Sequence, residues 1–313
     1  MKYHQSSRNR RRSQIAVVAV ALSGAALLIP GTGMAFATPA STHHVNVTIP
    51  TPPKDPTVAA LVPTSIRQKG SVTAAMDATY PPDEFVAANG TTIIGMDADF
   101  NVALGAVMGI KWIPVNATFD TIIVGLESKK FDIGNTSFTV TAAREKQINF
   151  VTYFQAGEGY YVKTSSTLKL NNGLMSLCGL AVAVETGTTE QTDAQSAVGL
   201  CTKAGKKAKQ KPDTVLSYST QVEANLAVSS GRAQIGFADS QVAGYIVQQS
   251  KGQFKLDGPA FGVAPYGFAF EKSSTLDKAT LAAIKILMKD GIYTKILDKW
   301  GVQAGAITNP GIV

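Results

Sequence analysis

Between Ser71 and Trp300 the chain alternates short apolar runs with segments whose apolar residues recur every three to four positions. The runs at Ser71–Met76, Lys111–Val115, Asp132–Asn135, Leu180–Val184, Ala233–Ala238 and Tyr266–Phe270 read as strands. Phe100, Ala103, Leu104, Val107 and Met108 form one stripe of a helix capped by Asp97 and ended by Gly109. Further helices are predicted after Phe119-Asp120, over Thr141–Gln147, and from Gly187-Thr188-Thr189 toward Val198. Others follow the capping pair Thr220 and Glu223, start at Ser240, and close the chain over Leu276–Met288 and Gly291–Trp300. Alternation of this kind argues for an α/β fold with largely parallel sheets.

The first 37 residues follow a different pattern. Lys2, Arg8, Arg10, Arg11 and Arg12 precede an apolar run from Ile15 to Ile29, then Pro30-Gly31 and the small-residue segment Ala35-Phe36-Ala37. This order reads as a secretory signal peptide over 1–37, cleaved near Ala37. The run is short of the ~20 residues that span a bilayer, and an uncleaved anchor is the alternative. Met34 stands where a lipobox cysteine could be, so no lipid anchor is expected. Residues 38–64 are rich in proline and threonine and read as an extended spacer.

Composition adds one apparent clue and then removes it. The formal charge of +7, with 29 Lys and Arg against 22 Asp and Glu, invites a nucleic-acid or membrane-surface partner. Without the five basic residues of the signal segment, 24 remain against 22 acids, so the excess belongs mainly to export. The lysine run from Lys203 to Lys211 lacks interleaved aromatics and reads as a solvated surface; no nucleic-acid partner is expected. Histidine occurs only at His4, His43 and His44, which removes imidazole-based catalysis and His-based zinc chemistry from most of the chain. Cys178 and Cys201 both lie in the exported part, where an oxidising compartment favours a disulfide over two buried thiols.

Three loops combine helix starts with polar residues. Asp77-Ala78-Thr79-Tyr80-Pro81-Pro82 follows a strand, where open α/β folds place ligands, although a proline turn with Asp77 as a cap is an equal reading. Thr136, Ser137 and Thr139 lie in a predicted strand-to-helix loop, with Arg144 in the first turn of the next helix. A cation there opposes the helix dipole but suits a bidentate carboxylate. Gly187-Thr188-Thr189-Glu190 opens a helix whose free amides favour an anion, without the ending of a Walker loop. Asp239 either caps the helix from Ser240 or faces a ligand ammonium group.

With these residues in hand, the chain resembles the extracellular solute-binding proteins of polar amino-acid ABC transporters, bacterial solute-binding protein family 3. The segments that carry the likeness run in order from Asp77–Pro82 through Gly95-Met96-Asp97-Ala98-Asp99, Phe119-Asp120-Thr121-Ile122-Ile123, Ser137–Thr141 with Arg144-Glu145-Lys146, and Gly187-Thr188-Thr189. Gly231-Arg232-Ala233, Ala238-Asp239-Ser240, Ala264-Pro265-Tyr266-Gly267 and Asp290–Leu297 follow. The positions of Cys178 and Cys201 resemble an actinobacterial-type subgroup in which the two are expected to pair.

The resemblance implies a two-lobed, type II periplasmic-binding-protein-like α/β fold, with a ligand cleft between lobes joined by two crossover strands. Lobe 1 would take 65–157 and 266–313, and lobe 2 would take 158–265. Arg144 matches the arginine that clamps a ligand α-carboxylate, assisted at Thr139 and Thr189. Asp239, with Ser137, matches the holder of the α-ammonium. Tyr80 and Phe119 match aromatics that sandwich the ligand side chain, and Asp77, Thr136 and Glu190 match positions that read its head. Glu190 stands where glutamine is frequent and Asp83 where asparagine or phenylalanine is. Glu190 with Asp77 would put two acids near the head, which favours a basic or amide side chain over Glu or Asp. The implied function is reversible capture of a free amino acid by a monomeric subunit that delivers it to an ABC permease, with no catalytic residue, cofactor or metal. An exported dehydratase of the prephenate or arogenate type, with Asp77 or Glu190 as general acid, is the alternative.

Overall fold

The computed structural model describes residues 47–208 and 213–313. The signal segment, the start of the spacer with His43 and His44, and the side chains of the lysine run lie outside the described residues.

The spacer ends earlier than its composition suggests. Asp55 accepts a hydrogen bond from Val58 N at 2.9 Å, and Pro56 occupies the first turn of α1 (Pro56–Leu61). An acidic cap followed by proline is a helix start. Val58 and Val62 are buried in the core, so residues from 56 onward belong to the folded body. Helix α2 (Thr64–Lys69) ends at Gly70 in the left-handed conformation and leads into β1 (Ser71–Met76). A small antiparallel sheet follows, made of β2 (Thr79–Tyr80), β3 (Glu84–Val86) and β4 (Ile93–Ile94).

Helix α3 (Met96–Met108) buries the predicted stripe, and Gly109 is its left-handed C-cap. Its N-cap is Gly95, not Asp97. A Cβ at Gly95 would lie 2.1 Å from the Asp83 carbonyl oxygen, so only glycine fits. Next come β5 (Lys111–Asn116), α4 (Phe119–Glu127) and β6 (Ile133–Thr139). Thr136, Ser137 and Thr139 therefore lie in a strand and not in a loop. The helix predicted over 141–147 is only a 3₁₀ turn at Arg144–Lys146, because β7 (Ile148–Lys163) begins immediately after it.

The second half holds β8 (Ala181–Glu185), α5 (Thr189–Ala208), β9 (Thr214–Tyr218), α6 (Gln221–Ser230), β10 (Ile235–Asp239), α7 (Ser240–Gln249) and β11 (Phe254–Leu256). Thr220 caps α6 by accepting from Glu223 N at 3.2 Å, while Glu223 accepts from Ser219 N at 3.1 Å. The chain returns through β12 (Phe261–Glu271) and closes with α8 (Leu276–Lys289) and α9 (Ile292–Trp300).

The sheet order is β5-β1-β6-β12-β7-β10-β8-β9, with β11 on β7. The flanks are parallel, as predicted, but the centre is antiparallel: β12 pairs with both β6 and β7, and β7 with β10. The two long strands β7 and β12 thus join the halves. Phe100, Tyr153, Phe268 and Ile284 pack under α3, α8 and α9; Tyr160, Val182, Ala194 and Phe237 pack beneath α5. A further apolar cluster reaches from Phe119, Ile122 and Phe138 of the first half to Val228 and Val242 of the second. Cys178 and Cys201 form a disulfide that ties the turn at Gly173–Leu177 to α5. Among the described residues no helix is long and apolar enough to cross a membrane.

Candidate ligand-binding cleft

A cleft lies where the carboxyl ends of β1 and β6 face the N-termini of α5 and α7. Nine of the ten predicted site residues line it: Tyr80, Phe119, Thr136, Ser137, Thr139, Arg144, Thr189, Glu190 and Asp239. The tenth, Asp77, lies behind it. Asp83, Thr188, Gln221, Ala238 and Val242 complete the lining.

Arg144 is 8% exposed, and its guanidinium is held in one orientation. Nη1 donates to the Thr139 carbonyl at 2.7 Å, and Nη2 donates to the Gly187 carbonyl of the opposite half at 3.0 Å. Its plane sits 5.2 Å from the Phe119 ring centre and 5.4 Å from that of Phe138. Burial lowers its pKa, and the charges of Glu190 and Asp239 oppose that shift. Such a fixed, desolvated guanidinium suits a carboxylate ligand.

Asp239 occupies the N-cap position of α7 without capping it. Its carboxyl makes no capping hydrogen bond, and burial, followed by the nearby Glu190, raises its pKa well above the ordinary range, against the opposing effect of the Tyr266 hydroxyl. Of the two readings of this residue, the cap is therefore excluded. Ser137 has φ of 48°, uncommon for a residue with a side chain. Asp97 holds it there, accepting from Ser137 N at 2.9 Å and from Tyr153 Oη at 2.7 Å. Freed from capping, Asp97 thus positions the floor of the cleft. Asp83 adds a second acid, with Oδ2 accepting from Ser137 Oγ at 3.0 Å and from Gln241 Nε2 at 2.8 Å.

The other end of the cleft is aromatic and acidic. Tyr80 and Phe119 meet edge to face, with centroids 5.9 Å apart and planes at 83°, so they are not parallel here; Phe119 also packs on Phe138 at 4.6 Å. Glu190 is 3% exposed and faces Arg144. Its Oε2 accepts from Thr189 Oγ1 at 3.2 Å. Thr136 donates to Glu84 and accepts from Asp77 N. Asp77 accepts from Phe119 N at 2.9 Å and from Thr79 Oγ1 at 2.7 Å, which anchors the start of α4. Asp83 showed in the sequence only as a departure from the family pattern, and Gln221 and Gln241 carried no signal there, because their partners Tyr161, Asp83 and Tyr266 are far away in sequence. Among the described residues no group of three or more acids, histidines or cysteines could hold a metal ion.

Comparison with known proteins places this geometry among relatives. The arginine-binding protein ArgT of Corynebacterium glutamicum is 32% identical over 80% of this chain and 81% of its own length. The ABC transporter arginine-binding protein 1 of Escherichia coli is 29% identical, covering 73% of this chain and 89% of that protein. A solved ancestral arginine-binding protein bound to arginine superimposes with a TM-score of 0.65 at 32% identity, over 74% of this chain and 98% of that one. Residues 72–303 match the family model of the bacterial extracellular solute-binding proteins, family 3, and with the cleft falling inside that span the chain belongs to this family.

Proposed function

We propose that the chain is the extracytoplasmic substrate-binding subunit of an ABC importer, capturing a free amino acid with a basic side chain and delivering it to a membrane permease. The carrying observation is that Arg144 of one half and Asp239 of the other face the same cleft, with Glu190 buried beside them. A zwitterionic amino acid is complementary to that pair. Its carboxylate goes to Arg144, assisted at Thr139 and Thr189, and its ammonium goes to Asp239 with Ser137. The side chain passes Tyr80 and Phe119 toward Glu190, Thr136 and Asp77. Only the closed arrangement makes both charge contacts, so ligand binding favours closure. Arginine-binding relatives support the basic side chain, and so does the acidic end of the cleft.

Membership in a solute-binding family makes the chain a binding protein and not an enzyme. We assign the lobes as 65–157 with 266–313 and as 158–265, with 56–64 added to the first, and we assign export to residues 1–37. A monomer suffices, since one chain supplies both sides of the cleft. The test is a thermal-shift screen against the common amino acids followed by calorimetry. Arginine or lysine should raise the melting temperature, because a ligand that binds only the folded form stabilises it. Tight binding of glutamate with none of lysine, arginine, histidine or glutamine would sink the specificity.

A further inference from the structure

Behind Tyr80, two carboxyl groups from opposite halves come together. Asp77 follows β1, and Glu185 is the last residue of β8. Glu185 is 1% exposed; neither of its oxygens has a hydrogen bond of good geometry, and the donors nearest to it are the Tyr80 hydroxyl and a protonated Asp77. The Tyr80 hydroxyl and Glu190 Oε1 are likewise buried without a partner. The groups that face Glu185 are Asp77, Tyr80 and Glu190, an acid from each of two elements and a phenol from a third. Among the described residues none of these acids takes part in an ion pair.

Two carboxylates cannot stay ionised side by side without a counter-charge. Burial, reinforced by Asp77, pushes Glu185 up to about 10, and burial also raises Asp77. The cluster is continuous with the cleft, since Tyr80 and Glu190 line it. Its unpartnered oxygens are acceptors for a group that brings both donors and positive charge.

We propose that Glu185 is a specificity-determining residue: it shares one proton with Asp77, and a cationic ligand head, guanidinium or ammonium, displaces that proton to solvent. This rests on the amino-acid capture proposed above and deepens it. A neutral head of the same shape leaves the proton in place and gains no charge pairing. Glu185 then sets a preference for cations that Arg144 and Asp239, which read the backbone of the ligand, cannot supply.

Calorimetry near neutral pH, in buffers of different ionisation enthalpy, counts the protons. Arginine and its neutral isostere citrulline are titrated into the wild-type protein and Glu185→Gln. Wild type should release about one proton more with arginine than with citrulline, since any release from Asp239 to the α-ammonium is common to both, and should prefer arginine by about 100-fold or more. Glu185→Gln should lose that extra proton and about tenfold or more of that preference. A variant that retains both the release and the preference overturns the proposal. So does a wild type that prefers citrulline or glutamine, although amino-acid capture then stands. A wild type that binds no amino acid overturns the capture reading itself. If Glu185→Gln does not fold, the wild-type count decides: equal proton release with arginine and citrulline overturns the proposal.

Discussion

Gln241 Nε2 donates to Asp83 Oδ2 at 2.8 Å, joining α7 of the second half to the turn before β3 in the first. The same nitrogen donates to Tyr266 Oη at 2.7 Å, and Asp239 lies near that hydroxyl. The contact across the cleft and the proposed ammonium holder are therefore one network. Gln241→Ala should weaken amino-acid binding by about fivefold, the worth of a hydrogen bond between neutral groups, mainly through faster dissociation. Stopped-flow release rates check this. An unchanged rate would show that the bond does not contribute to closure.

Asp83 also makes stability depend on pH. Burial, followed by the charge of Asp97, pushes Asp83 up to about 8, and burial pushes Asp97 up to about 6. In the unfolded chain both titrate near ~3.9. The folded protein thus holds protons that the unfolded chain gives up. That contribution is fully present below the unfolded value and is lost as pH rises through the folded values. Asp83→Asn should raise the melting temperature at pH 8 and flatten its fall between pH 6 and 8. Scanning calorimetry across that range reads both effects.

Arg144 makes two hydrogen bonds that a lysine cannot make together. Arg144→Ala should cost about 3–5 kcal/mol of amino-acid binding, and Arg144→Lys should recover only part of it. Isothermal titration measures both. Normal binding by the alanine variant would mean that the carboxylate sits elsewhere.

The disulfide spans a sequence separation of 23. Replacing both cysteines with serine should lower unfolding free energy by about 3 kcal/mol on the chain-entropy account. Cys201 lies twelve residues into α5 from Thr189, about 18 Å along the helix, so affinity should change by less than about twofold. Urea denaturation and calorimetry separate the two effects.

Local signals carried well through the flanks of the fold. The stripe of α3, its ending at Gly109 and the capping of α6 by Thr220 and Glu223 all depend on residues within a few positions of one another. The central strands were harder to read. Strand β7 is buried on both faces over most of its length, so it shows no alternation, and Gly157 and Gly159 interrupt its apolar run. Proline density hid α1, although Asp55-Pro56 is a helix start. The segment after Thr139 has the composition of a helix. The turn it forms instead lets the Arg144 guanidinium reach back to the Thr139 carbonyl. Nine cleft residues could be placed by resemblance. Asp83 and Glu185 could not, because an acid at a strand end or turn looks like a solvated residue until the opposite half covers it.

The pairing of β7 with β12, from Phe261 opposite Glu158 to Glu271 opposite Ile148, has a practical consequence. Two connectors bonded to each other deform together, so the distance between points far from them becomes a gauge of occupancy. Val124 on α4 and Leu226 on α6 are exposed on opposite halves. Dyes attached there would turn the chain into an optical sensor whose signal follows amino-acid concentration without any change to the cleft.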